Sequence, residues 1–172
     1  MEYLTFKNIV IMSGLVSCFK RMFASNPTNW SASGILGPTP AKWNPTGSQE
    51  LATLGAGCFW GTEKYFANDF EKKHPGAVLG TSVGFMNPDP NAKPNPSYYS
   101  VCQGNTGHVE VLHMMFDNKV VSYEEVLKFF FMFHDPSTLD KQGNDSGSQY
   151  ASAIFYHSKQ QKQTAQKVKD KV

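Results

Sequence analysis

Residues 51–61 read LATLGAGCFWG, and this stretch decides the fold. Its first half is a short apolar run that ends in glycines, which predicts a β-strand running into a tight turn. The pattern then changes to a helical spacing of three and four residues, shown by Phe59, Glu63, Phe66 and Phe70. This spacing predicts a helix from Phe59 to about Lys73, and Pro75 follows closely enough to end it.

Further strands and helices alternate along the rest of the chain. We expect strands over residues 77–85, about 108–116 and 150–157. Ser122 and Glu125 form a capping box that opens a helix through Phe133, and a last helix starts at Ser158. The order strand-helix-strand, repeated once, predicts an α+β fold. We expect a two-layer sandwich with a ferredoxin-like split βαβ core and a mainly antiparallel sheet.

The chain of 172 residues has room for one domain with a hydrophobic core. We expect residues 1–48 to be an N-terminal extension and residues 49–172 to be the catalytic domain. The extension holds an apolar run, Ile9 to Phe19, that is shorter than the roughly 20 residues of a membrane-spanning helix. The run is consistent with a targeting leader, mitochondrial rather than secretory, or with an unstructured segment. Ordered structure is expected to begin near Gln49.

Composition and charge exclude several classes of protein. The formal net charge of +2 is too small to indicate binding to nucleic acid or to a membrane surface. The cysteines are Cys18, Cys58 and Cys102, and an odd, small number of cysteines is no disulfide framework. We therefore expect a reducing compartment, cytoplasmic or mitochondrial, or catalytic use of a thiol. No clustered cysteine and histidine ligands and no dinucleotide fingerprint are present, so no metal or other cofactor is expected.

Cys58 stands where the first strand turns into the first helix. Unpaired backbone N–H groups and the positive end of the helix dipole favour a thiolate at such a position. Gly57 and Gly61 let another molecule approach the sulfur, and Phe59 and Trp60 supply apolar walls for a small pocket. The alternative is a buried, inert cysteine, which is common among free cysteines.

A reactive thiol at this place fits two classes of enzyme. One is a cysteine hydrolase, which needs a histidine base held by a third group. The other is a redox enzyme whose thiol attacks an oxidised sulfur. Five histidines are present, and the sequence does not place any of them against Cys58.

Several motifs, in chain order, resemble those of the A-type peptide methionine sulfoxide reductases. They are GCFWG at 57–61, NPSY at 95–98, TGHVE at 106–110, HDP at 134–136, QGND at 142–145 and QY at 149–150. The resemblance spans about residues 50–160 and, because the motifs keep the family's order, is highly specific.

The resemblance implies reduction of the S epimer of methionine sulfoxide, free or peptide-bound, through a sulfenic acid on the nucleophile Cys58. Glu110 matches the acid that protonates the sulfoxide oxygen. Phe59 and Trp60 match the walls around the substrate's S-methyl group, and the groups that hold the oxygen match Tyr98, Asp145 and Tyr150. The implied partners are oxidised proteins and thioredoxin or another thiol reductant, and we expect a monomer.

The strand pattern supports a special role for Glu110 independently of the resemblance. This glutamate shares a strand face with the apolar residues Leu112, Met114 and Phe116. Burial there disfavours the charged carboxylate and raises its pKa, as a general acid near neutral pH requires. Without the resemblance, Tyr98 and Tyr150 fit core tyrosines equally well, and Asp145 fits a turn.

Two departures from the family bear on function. Family members often carry resolving cysteines near the C-terminus, whereas no cysteine follows Cys102 here. We therefore expect direct recycling by an external thiol, or a shortened chain with impaired turnover. A second hypothesis is a non-catalytic or unstable form that only binds oxidised methionine. The family's glycine-rich stretch after Gly84 is replaced by FMNPDP, a change that is expected to alter substrate access.

Overall fold

The computed structural model describes residues 43–89, 91–93 and 96–172, together with the strand backbones of residues 4–6 and 9–13. Cys18, Asn95 and most of the segment proposed as a targeting leader lie outside the described residues. All residues singled out for the candidate site lie within them.

A mixed sheet and four helices make up the described chain. The strands are β1 (Leu4–Phe6), β2 (Ile9–Ser13), β3 (Gln49–Ala56), β4 (Val78–Met86), β5 (Val109–Asp117), β6 (Lys141–Gln142), β7 (Asp145–Ser146) and β8 (Ser152–Tyr156). Helix α1 is an α-helix over Phe59–Lys64, a π-helix over Tyr65–Phe70 and an α-helix again over Glu71–Lys73. The other helices are α2 (Tyr98–Cys102), α3 (Tyr123–Phe133) and α4 (Lys159–Lys169), with a 3₁₀ turn at Ser148–Tyr150.

Six strands form one sheet in the order β1-β2-β8-β3-β5-β4, and β6 and β7 form a separate hairpin. β3 lies between β8 and β5 and is antiparallel to both, and β4 is antiparallel to β5. β2 runs parallel to β8. The prediction of an α+β fold with a mainly antiparallel sheet is therefore confirmed.

Helices pack on one face of the sheet and bury its largest apolar cluster. Phe66 of α1, Phe130 of α3 and Ala165 of α4 share this cluster with Leu112 and Met114 of β5. The alternation predicted for β5 holds, since its even-numbered residues from 110 to 116 lie on this face and are all buried. In the part of the chain that the structure describes, no helix is long and apolar enough to cross a membrane.

Three local predictions differ from the structure. Ordered backbone does not first appear near Gln49, because β1 and β2 precede it and β2 adds a strand beside β8. Helix α2 was missed, since five residues are too short to show a periodic pattern; Ser97 caps it by accepting the N–H of Ser100. β4 continues one residue beyond its predicted end at Phe85, and Phe85 and Met86, the first two residues of the FMNPDP stretch, are buried.

The opposite face of the sheet holds a buried polar cluster. The Thr53 hydroxyl lies 2.7 Å from Nδ1 of His113 and 2.9 Å from Nε2 of His157. The ring of Trp43 packs 4.9 Å from the His113 ring and covers the cluster. Burial lowers the pKa of His157 to about 4 and that of His113 well below its usual range. Both imidazoles are therefore neutral at physiological pH.

We expect His157 to make the fold acid-sensitive. The pKa of His157 in the folded protein lies below the unfolded value of about 6.5. The neutral imidazole therefore contributes its full stability above that pH, and the contribution is lost as the pH falls towards 4, because the unfolded chain binds the proton more readily. A His157→Gln variant keeps a hydrogen-bonding side chain that does not titrate. Urea unfolding between pH 7 and pH 4 should show a smaller loss of unfolding free energy in the variant, by roughly 3 kcal/mol. Identical pH dependence in the two proteins would contradict this assignment.

Candidate active site

Cys58 lies at the N-cap of α1, where β3 ends. Its backbone is extended, with φ −55° and ψ 122°, and its carbonyl accepts the N–H groups of Gly61 and Thr62 at 3.1 and 3.2 Å. Its side chain is half-buried and unpaired with any other cysteine. The strand-turn-helix predicted from the sequence therefore presents this sulfur at the start of the helix.

Two glycines let neighbouring elements pack against the turn before Cys58. Gly57 has φ +83°, and a Cβ built there would lie 2.5 Å from Cβ of Gln142. At Gly55 a Cβ would lie 2.9 Å from Cγ1 of Val109 and 3.1 Å from the carbonyl oxygen of Glu110. A side chain at either position would push the β6–β7 hairpin or β5 away from the turn.

The carboxyl group of Glu110 reaches across from β5 to the same turn. Its Oε2 accepts the backbone N–H of Phe59 at 2.9 Å, and the glutamate is only 2% exposed. Because Phe59 directly follows Cys58, the carboxyl group and the thiol lie at one end of one helix, on the same side of the sheet. This hydrogen bond also satisfies one of the N–H groups that every helix start leaves unpaired.

Burial changes the proton affinity of this carboxyl group. Desolvation is the main cause that raises the pKa of Glu110 to about 7; the charge of Asp145 adds to this increase, and the hydrogen bond from the Phe59 N–H opposes it. Asp145 itself is exposed on β7. A substantial fraction of Glu110 is therefore protonated at neutral pH and can act as an acid.

Two tyrosine hydroxyls share the surroundings of Glu110. A hydrogen bond with the Cys102 sulfur, the charge of that thiol, burial and the charges of Tyr150 and Glu110 together raise the pKa of Tyr98 to about 12. Burial raises the pKa of Tyr150, and the nearby charge of Glu110 contributes to this increase. Both phenols are therefore neutral hydrogen-bond donors at neutral pH.

An apolar cup adjoins the sulfur. Phe59, Phe85 and Val101 form a buried cluster, and Cys58 packs against it. The Phe85 ring lies 5.7 Å from the Phe59 ring and 6.4 Å from that of Tyr98. Trp60 stands edge-on to Phe59 at 5.3 Å and is 40% exposed, so it forms the rim of the cup.

The structure thus gathers the seven residues singled out from the sequence around one turn, with Trp60 and Asp145 at its edge. The sequence predicts Phe85 at the end of a strand, but it does not show that the Phe85 side chain belongs to the cup. Sequence reasoning also missed Gln142, whose side chain packs on Gly57 and accepts the N–H of Asp135 at 3.1 Å. No periodicity signals such a contact between distant segments.

Four of the five histidines have hydrogen-bond partners away from the thiol, and the ring of the fifth, His74, packs on Phe70. His108 contacts Asn87 and Thr106, His134 contacts the Phe130 carbonyl, and His113 and His157 contact Thr53. Within the described ranges no histidine hydrogen-bonds to Cys58, whereas a cysteine hydrolase uses a histidine base beside its thiol. In those same ranges, no group of three or more histidine, cysteine or acidic side chains could hold a metal ion.

Comparison with known proteins places this arrangement in a family. The family model for peptide methionine sulfoxide reductase matches residues 50–172. A relative named peptide methionine sulfoxide reductase MsrA from Saccharolobus solfataricus is 43% identical over 119 residues, which is 69% of this chain and 62% of the relative. MsrA 1 from a Nostoc species is 48% identical over 123 residues, covering 72% of this chain and 70% of the relative.

Solved structures agree with these matches. Saccharomyces cerevisiae Mxr1 in its reduced form gives a TM-score of 0.66 at 37% identity, over 76% of this chain and 71% of that one. Methionine sulfoxide reductase A of Corynebacterium diphtheriae gives 0.63 at 33% identity, over 76% of this chain and 57% of that one. Mxr1 in complex with Trx2 gives a TM-score of 0.51 at 27% identity, over 76% of this chain and 69% of that one.

The chain spans less than two thirds of the length of some relatives, including 62% of the Saccharolobus protein. It belongs to the peptide methionine sulfoxide reductase family.

Proposed function

We propose that the protein reduces the S epimer of methionine sulfoxide, free or peptide-bound, to methionine and so repairs oxidised proteins. The observation that carries this proposal is the hydrogen bond from the Phe59 N–H to the buried Glu110 carboxyl. It brings a proton-donating acid and the Cys58 thiol to one helix start. Family membership supports the choice of a sulfoxide as the substrate.

Cys58 is the nucleophile in this proposal. Its sulfur attacks the sulfoxide sulfur, and Glu110 gives a proton to the sulfoxide oxygen, which is a poor leaving group until it is protonated. The new bond between the Cys58 sulfur and the substrate's sulfur forms as the bond between the substrate's sulfur and its protonated oxygen breaks. Transfer of that oxygen to the Cys58 sulfur then breaks the sulfur–sulfur bond, and its electron pair stays on the sulfur of the methionine that leaves. The oxygen remains on Cys58 as a sulfenic acid, so the substrate is reduced by two electrons and the thiol is oxidised by two.

The hydroxyls of Tyr98 and Tyr150 hold the oxygen during this step. Both are neutral donors near Glu110, and oriented donors stabilise the negative charge that develops on the oxygen. Asp145 acts at longer range, since its charge raises the pKa of Glu110. Phe59 and Trp60 surround the S-methyl group, because they lie on the apolar cup beside Cys58.

Recycling requires an external reductant. Two thiols convert the sulfenic acid back to the thiol, with release of water and formation of a disulfide on the reductant. We propose thioredoxin or another dithiol protein in this role, because the similar fold of Mxr1 has been solved in complex with Trx2. The reducing environment that this chemistry needs supports a cytoplasmic or mitochondrial location.

The proposed domain boundaries follow the family match, which starts at residue 50. We propose residues 49–172 as the reductase domain, acting as a monomer without nucleic acid or membrane, and residues 1–48 as an extension. The strand order β8-β3-β5-β4, with antiparallel neighbours, supports a ferredoxin-like split βαβ core, since β5 separates β3 from β4.

A single-turnover assay tests the reaction. Reduced protein mixed with methionine S-sulfoxide and no reductant should form one methionine and one sulfenic acid per chain, detected by mass spectrometry. Cys58→Ser should lower this rate by a thousandfold or more, on the order seen for loss of a nucleophile. Cys18→Ser is the matched thiol-to-hydroxyl control. Binding of the sulfoxide without methionine formation would sink the reductase proposal and support a binding role instead.

The pH dependence of that rate tests Glu110 as the acid. Its pKa of about 7 means that the protonated form, and hence the rate, should decline as the pH rises through that value. Asp145→Asn removes a charge that raises this pKa, so the alkaline decline should begin at lower pH, whatever the maximal rate. Asp69→Asn, exposed on α1, is the control. An unchanged midpoint in Asp145→Asn would count against the electrostatic coupling.

A further inference from the structure

A groove of about 850 Å³ with a mixed polar and apolar lining lies beside the candidate active site. It opens between the segment after β4 and the segment before β5, and Ser97 and Ser100 of the α2 region form one wall. Its volume is within the roughly 300–1,000 Å³ typical of ligand pockets. Neither Cys58 nor Glu110 lines it, so it is distinct from the cup that receives the sulfoxide.

The groove has a rigid, polar floor. The Asn87 side chain donates to the Thr106 carbonyl at 2.7 Å and lies 3.2 Å from Nδ1 of His108. Gly107, with φ +68°, leaves room for that amide, because a Cβ there would lie 3.2 Å from it. His108 is 3% exposed, and burial lowers its pKa, so the floor carries no charge at neutral pH.

Lys93 is the cation at the groove's rim. Its side chain is exposed, and among the described residues no carboxylate lies within ion-pair distance of it. Asp89 also lines the rim, but its Oδ1 is turned to its own loop, where it accepts the backbone N–H of Asn91 at 2.9 Å and the Asn91 side-chain amide at 3.3 Å. Asp89 therefore keeps its negative charge but has donors within the loop, whereas the ammonium group of Lys93 has no carboxylate partner among the described residues and is available to an incoming anion.

The distance from the groove to Glu110 matches the distance between an oxidised methionine and a nearby residue of the same peptide. His108 on the floor precedes Glu110 by two residues, a separation of roughly 7 Å along an extended backbone. In an extended peptide, a residue two positions from the oxidised methionine lies about the same distance away. Tyr98, between the serines of the groove wall, connects the groove to the cup through its contact with Phe85.

We propose that this groove is a subsite for the polypeptide segment that flanks the oxidised methionine, with a preference for an acidic residue within two positions. The inference rests on the proposed function and narrows its substrate class from free methionine sulfoxide towards peptide-bound methionine sulfoxide. The Asn87 Oδ1 and the serine hydroxyl oxygens already accept hydrogen bonds within the protein but keep lone pairs that can accept backbone N–H groups of the segment, and Lys93 pairs with the acidic side chain.

Two variants test the subsite by kcat/KM with thioredoxin recycling. Ala92→Trp fills the groove, and it should lower kcat/KM for pentapeptides with central methionine S-sulfoxide several-fold relative to the free amino acid. The control Ala67→Trp makes the same change on the exposed side of α1 and should keep the wild-type ratio. Circular dichroism checks that each variant is folded.

Charge is tested with peptides that carry aspartate or lysine beside the oxidised methionine. The wild-type protein should favour the aspartate peptide by about twofold to fivefold at low salt and less at high salt. Lys93→Glu should reverse this preference, whereas Lys72→Glu, on α1, should keep it.

Failure of the subsite differs from failure of the proposed function. If wild-type protein does not reduce free methionine S-sulfoxide or any peptide, the function itself is refuted. If it reduces the free amino acid but treats all peptides alike, and Ala92→Trp and Lys93→Glu change nothing, only the subsite is refuted.

Discussion

One hydrogen bond organises the site: the N–H of Phe59 donates to the buried carboxyl of Glu110. It ties the start of α1 to β5 and so holds the Glu110 carboxyl group close to the residue that follows Cys58. The carboxyl group loses its hydration there, and desolvation outweighs this single donor in setting the pKa. A second strong donor at the same carboxyl would stabilise its charged form and remove the acid that the proposed reaction needs.

Two glycines before Cys58 allow the close packing that accompanies this bond. Gly55 admits the backbone of β5, and Gly57 admits Gln142 from the β6–β7 hairpin, which carries Asp145. Two segments separated from the turn by more than fifty residues can thus contact it at once. The two glycines act here by leaving space for β5 and for Gln142 to pack against the turn, rather than by making the chain flexible.

The sequence revealed the parts of the site that depend on local rules. The glycine turn, the helix start at Cys58 and the apolar face of β5 follow from spacing and alternation over a few residues. The ring of Phe85 could not be predicted to lie between Phe59 and Tyr98, because that contact depends on β4 lying at the sheet edge beside β5. Helix α2 escaped detection for a similar reason: one capped turn held down by Val101 has no period to detect.

The two faces of the sheet bury titratable groups with opposite consequences for stability. Glu110 has a raised pKa, so it favours the folded state at acid pH and costs stability as the pH rises from about 4.5 towards 7. His157 has a lowered pKa and costs stability as the pH falls towards 4. Near neutral pH the buried histidines do not lower the free energy of unfolding, whereas burial of the Glu110 carboxyl group does. The aromatic cluster around Phe66 and Phe130 lies on the same face as Glu110. Burial of this cluster is the favourable contribution on that face that offsets the cost of burying the Glu110 carboxyl group.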